Sequence, residues 1–188
     1  PVNWAIANGE TETGVTTMQM EVGLDTGDIL LQKRVPIGAD ENAVVLMDRL
    51  AVVGADLLAE TLATVDTITP TAPDNAAATF APIMKKEDGL IDWSRPATEI
   101  ANRVRGFQPF PTSFTYRNGS RLTIWSAKPE QGNGEPGEVV KAAGDELLVA
   151  TGDGILRITG LQPEGRRRLS VRDYLNGAKL VAGERFGI

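Results

Sequence analysis

Glu21-Val22-Gly23-Leu24-Asp25-Thr26-Gly27-Asp28-Ile29-Leu30-Leu31 is the stretch on which the reading of this chain turns. A strand-like run, residues 14–20, leads into it, and a second, residues 29–37, leads out, which predicts a crossover between two strands. Between the runs, two glycines and two aspartates sit together with no lysine or arginine among them. A carboxylate in a glycine-bracketed crossover is exposed where a scaffold can use it. The same residues also suit a structural turn, because an Asp side chain bonds nearby backbone N–H groups.

Upstream, residues 2–7 read as the end of a short helix closed by Asn8-Gly9. Opening on Pro1, that helix is expected to be cut into rather than started. In the first strand Thr16, Met18 and Met20 alternate with Val15, Thr17 and Gln19. In the second, Ile29, Leu31, Val35 and Ile37 share a face, and Pro36 marks an edge or an end. Asp40 is the expected N-cap of the next helix, with Glu41 at its positive end. Leu46, Leu50, Val53, Leu57, Leu58, Leu62 and Val65 then form one apolar stripe. Strand, strand and long helix, residues 1–69, predict the closing part of an α/β layer.

Residues 70–89 read as a linker, rich in Pro, Thr, Ala and Asn and ending in the charge cluster Lys85-Lys86-Glu87-Asp88. A helix with Pro96 in its first turn buries Ala97, Ile100, Ala101 and Val104 and stops near Gly106. Beyond Pro109 and Pro111 the pattern becomes β. Phe114 and Tyr116 alternate into Asn118-Gly119, a strong hairpin signal, and Leu122 and Ile124 alternate out. Residues 138–141, 147–150 and 155–161 add three short strands. Five strands in so short a span predict a small barrel over residues 90–188, and Ser170 with Asp173 a capped terminal helix.

Composition narrows the chemistry. The 188 residues carry a net charge of −6 and 41% apolar residues, ordinary for a folded protein. No apolar run is long enough to span a bilayer, and the opening residues lack the pattern of a secretory leader. With no cysteine, disulfides and thiolate metal sites are excluded, and a reducing compartment fits. With no histidine, no imidazole is available from this chain as base, nucleophile or ligand. Residues 1–100 hold 6 Lys and Arg against 16 Asp and Glu, a net of −10, whereas residues 101–188 hold 13 against 9, a net of +4. The basic half is the candidate for a polyanion partner.

Four patterns compete for a chemical role. Asp25-Thr26-Gly27 is the aspartic-protease triplet, but it occurs once and the acidic Asp28 follows it. Gly132 to Gly137 fits G-x-G-x-x-G, yet a proline interrupts it and a strand follows, so it reads as a loop. Glu21, Asp25 and Asp28 could gather around Mg²⁺, but no phosphate cradle accompanies them, and no metal is expected. Arg166-Arg167-Arg168 suits phosphate contact or a solvated turn. Trp93, Phe107 and Trp125 are expected in the core rather than as base-stacking platforms.

Several segments together resemble the methionyl-tRNA formyltransferase family. They are Glu12–Thr16, Met18–Met20, Val22–Asp28, Lys86-Glu87, Ile91–Ser94, Arg105–Pro111, Ala150–Leu156 and Leu161–Gly165, in family order across nearly the whole chain. The resemblance implies an α/β fold in three parts. The end of a Rossmann-like, folate-binding formyltransferase domain (1–69) is followed by a linker (70–89) and an OB-like, tRNA-binding barrel (90–188). It implies transfer of a formyl group from 10-formyltetrahydrofolate to methionyl-initiator tRNA, by a cytoplasmic monomer without metal or membrane. By motif position Asp25 resembles the family's catalytic aspartate, and Glu21, Val22, Gly23, Leu24 and Asp25 the wall beside the folate. Arg166, Arg167, Arg168, Lys85 and Lys86 are the expected tRNA contacts. The family's Asn-x-His is expected upstream of Pro1, so residues 1–188 alone are expected not to turn over. A sister sugar-nucleotide formyltransferase and a non-catalytic RNA-binding module are the rival readings.

Overall fold

The computed structural model describes residues 1–23 and 25–187. Its first part is an antiparallel pair, β1 (Glu12–Met18) and β2 (Ile29–Pro36), with α1 (Val2–Ala7) and α2 (Ala43–Thr64) packed beside it. Alternation in β1 turns Thr13, Val15 and Thr17 inward. Ile6, Val35, Ile37, Ala43, Leu46 and Leu50 form the core between helix and strands. Inside this layer Thr17 Oγ1 and Thr61 Oγ1 pair at 2.8 Å, which satisfies two hydroxyls that burial would otherwise penalise.

Two expectations for α2 are corrected. Asn42, not Asp40, is the N-cap: its Oδ1 accepts the Val45 N–H at 3.0 Å. The buried stripe runs through Leu46, Leu50, Leu57 and Thr61, whereas Leu58, Leu62 and Val65 are exposed. At about 100° per residue those three lie to one side of the buried stripe, which still meets β1 as far as Thr61.

The connecting segment is tied to the first part. Thr71 exchanges two backbone hydrogen bonds with Ile29, and Trp4 Nε1 donates to the carbonyl of Pro82 at 2.8 Å. It ends in a short 3-10 turn, Lys86–Gly89. Next comes α3 (Ala97–Gly106), whose buried residues are Ala97, Ile100, Ala101, Val104 and Gly106.

β3 (Ser113–Arg117) and β4 (Ser120–Glu130) form the hairpin around Asn118-Gly119, both with positive φ. With β5 (Val139–Ala143), β6 (Glu146–Ala150) and β7 (Ile155–Pro163) they make an antiparallel sheet ordered β3-β4-β7-β6-β5. A sixth strand, β8 (Leu169–Ser170), pairs with β7 and runs into α4 (Val171–Ala178). The Ser170–Asp173 cap forms as the sequence suggests. Ile100, Val104, Ile124, Leu147, Leu156, Ile158, Leu161 and Trp93 belong to the core.

The strands do not close into the expected barrel. Among the described residues the edge strands β3 and β5 share no ladder. Instead the last residues span the gap. Glu184 O accepts the Val139 N–H, Phe186 N–H donates to Gly137 O, and Gly187 N–H donates to Tyr116 O. Arg117 reinforces this strap through a salt bridge to Glu184 at 3.0 Å.

Candidate functional site

Asp25 lies on the crossover between β1 and β2, exposed, in the left-handed backbone region at φ 53°. The base of that crossover is rigid. Gln19 N–H donates to Asp28 O at 2.8 Å, and Gly27 is buried against the chain. A Cβ at Gly27 would lie 1.7 Å from Gln19 O, so only glycine lets the two limbs meet there. Glu21, Val22 and Gly23 are exposed on the same crossover, with Met20 84% exposed. Leu24, expected in the folate wall, lies outside the described residues.

The basic residues occupy two separate places. Arg166, Arg167 and Arg168 are exposed in the turn between β7 and β8. Gln162 Nε2 pins that turn by donating to Arg166 O at 2.7 Å. Lys85 and Lys86 are exposed at the 3-10 turn before α3, where Asp88 accepts the Lys85 backbone N–H at 2.7 Å. Among the described residues no salt bridge joins Asp25 to either group.

A cleft of about 630 Å³ lies where residues 39–42, α3 and β4 meet. None of the residues singled out for catalysis or tRNA lines it. Arg105, Gln108, Trp125 and Lys128 do. Arg105 donates to Gly38 O at 3.2 Å and Glu41 O at 3.1 Å, and through Nε and Nη2 to Asn102 Oδ1. Burial holds its guanidinium below the usual range, with Asp40 and Glu41 pulling the other way. Lys128 pairs with Asp40 across the mouth at 3.2 Å. Gln108 spends both amide hydrogens on Val104 O and Trp125 O. Arg105 and Gln108 stand inside a segment that marked the resemblance, which was the available signal.

Trp93 and Phe107 are buried as expected, but Trp125 is not. It is half-buried on β4, its indole N–H donating to Gln162 Oε1 at 2.9 Å. Among the described residues no group of three or more acidic side chains could hold a metal ion. No described helix is long and apolar enough to cross a membrane.

The family model for the C-terminal domain of formyl transferases matches residues 83–179, more than half of the chain. The chain belongs to the formyl transferase family. The model for the family's preceding domain matches residues 1–62. Among curated relatives, the methionyl-tRNA formyltransferase of Geobacter metallireducens is 47% identical, covering all of this chain and 61% of that protein. That of Solibacter usitatus is 49% identical, again over all of this chain and 61% of the relative. The chain thus spans about three-fifths of the relatives' length.

Two solved structures share the formyl transferase fold. HypX from Aquifex aeolicus, in complex with tetrahydrofolic acid, superposes with a TM-score of 0.65 at 22% identity, covering 94% of this chain and 33% of that one. An N-formyltransferase from Helicobacter canadensis, in complex with folinic acid and dTDP-3-aminofucose, gives 0.67 at 19% identity, covering 84% and 58%. The α/β assignment stands on these likenesses, which at such identities concern fold alone.

Proposed function

We propose that this chain is the folate- and tRNA-handling part of a methionyl-tRNA formyltransferase, a monomer acting in the cytoplasm. Its reaction is formyl transfer from 10-formyltetrahydrofolate to the amino group of methionine on initiator tRNA. The observation that carries this reading is the likeness to relatives of that name over the whole length of the chain. On this reading residues 1–69 close the formyltransferase domain, 70–89 link, and 90–188 form an OB-like module, its sheet bridged by the terminal strap.

When bound, the folate donor supplies an activated one-carbon unit. Attack by an amine on a formyl carbon puts negative charge on the formyl oxygen and requires the nitrogen to shed a proton. Asp25 offers a carboxylate on a crossover pinned at its base; it steadies the positive charge of the group that takes that proton. The exposed side chains of Met20 and Val22 supply apolar surface against which a flat ring can lie, and Glu21 and Gly23 complete that wall. The residues present therefore fit the donor. Arg166, Arg167, Arg168, Lys85 and Lys86 neutralise tRNA phosphates.

The test uses the complete enzyme that carries this sequence, supplied with 10-formyltetrahydrofolate and either methionyl-initiator tRNA or an amino-sugar nucleotide. Formylated methionyl-tRNA is the expected product. Formylation of the sugar amine alone would contradict the reading in favour of a sister enzyme. No transfer to either acceptor would leave only a binding module.

A further inference from the structure

We propose that Trp125 is a stacking platform for an unpaired nucleobase, and that Arg168 is the side chain the incoming base displaces. This rests on the reading of the chain as a tRNA-handling protein, and gives that reading a residue that senses single-stranded rather than duplex RNA.

Trp125 sits at an irregularity in the β4–β7 ladder. Ile124 pairs with Leu161 and Ser126 with Gly160, leaving Trp125 as the extra residue. A bulge re-aims a side chain away from the regular alternation, and here it leaves a large aromatic half-buried beside the cleft. The ring is held from its edge, because the indole N–H is bonded to Gln162 Oε1 at 2.9 Å. Its face is occupied by the Arg168 guanidinium, 3.3 Å from the ring centroid.

A guanidinium is flat and cationic, and its footprint on the indole is that of a small planar base. Arg168 is exposed, follows Gly165 in a turn, and among the described residues makes no ion pair with a carboxylate. Exchanging the guanidinium for a base keeps the stack and frees a cation for the phosphate attached to that base. Aromatic stacking of this kind accepts any base and needs it unpaired. Arg166 and Arg167, on the same turn, supply the sequence-independent attraction that brings the strand to the ring.

The test measures binding of two hairpin RNAs to the chain, one with an unpaired 3′ end and one blunt. Trp125→Leu should lose about tenfold in affinity for the overhanging RNA and nothing for the blunt one, while Trp125→Phe recovers most of the loss. In the wild type, the overhanging RNA should quench tryptophan emission, the blunt RNA should not, and Trp125→Phe should abolish the difference. That quenching decides the matter even if Trp125→Leu fails to fold. Equal effects on both RNAs, or no effect on either, would overturn the platform while leaving the tRNA reading standing. Failure of the wild type to bind either RNA would overturn both.

Discussion

Asn3 on α1 donates from Nδ2 to the carbonyl oxygen of Gly106, the last residue of α3, at 2.7 Å, and to Gln108 O at 3.0 Å. One amide thus fastens the acidic first part to the helix that opens the second. Arg105 makes a matching tie from α3 back to Gly38 and Glu41. The cleft is defined by these ties, since its walls come from both sides of them.

The Asn3 contact sets a steric demand at Gly106. A Cβ there would lie 2.8 Å from both Ala7 N and Asn3 O, backbone atoms that cannot swing aside. Gly106→Ala should therefore cost about 1–3 kcal/mol, the usual penalty of overpacking. Urea unfolding of the two proteins measures it; equal midpoints would mean that α1 does not press on α3.

Capping at α2 gives a paired prediction. Asn42→Ala removes the acceptor for Val45 N–H and should cost about 1 kcal/mol. Asp40→Ala removes an exposed ion pair with Lys128 and a longer-range attraction to Arg105, and should stay within about 0.5 kcal/mol. Thermal melts of both variants compare the two positions directly; the reverse order would restore Asp40 as the cap.

Those two residues also show where the sequence stops being readable. Signals local to a few residues were legible. The Asn118-Gly119 hairpin and the Ala97, Ile100, Ala101, Val104 face of α3 are written in turn chemistry and helical period. Asp40 and Asn42 are equally good caps by type, and only the path of the chain after Ile37 decides between them. Leu58 and Leu62 are apolar like the stripe but lie on the flank of α2, beside the face that Leu57 and Thr61 bury. The terminal strap was invisible, because Glu138 meets Arg185 and Gly137 meets Phe186 only through tertiary folding. Within the site, Asp25 was legible as an acid among glycines. Trp125 was not, because an aromatic that bulges outward is written like one that packs inward.

The strap carries its own prediction. Phe186 is 3% exposed and packs against Trp93, ring centroids 6.1 Å apart. Phe186→Ala should cost about 3–5 kcal/mol, with tryptophan emission reporting the loss on denaturant titration. A cost below about 1 kcal/mol would mean that the strap lies on the sheet without sealing it.

Acid should weaken one named contact. The hydrogen bond from Arg49 holds the Glu41 carboxyl below its usual 4.5. Its folded-state value is lowered, so its contribution is complete above the unfolded value and is lost as pH falls through the folded one. Glu41→Gln should thus lower the melting temperature at about pH 7, and the gap should close as pH falls below the folded-state value. A gap that persists in acid would assign the effect to shape rather than charge.

The central claim is that the carboxylate of Asp25 takes part in the proton movement of formyl transfer. It is tested most directly by single-turnover formylation of methionyl-tRNA by the complete enzyme bearing Asp25→Asn. The account predicts a chemical step slowed by about 10²–10⁴-fold, with folate and tRNA affinities within about threefold of the parent. A step that runs at the parent rate would contradict it.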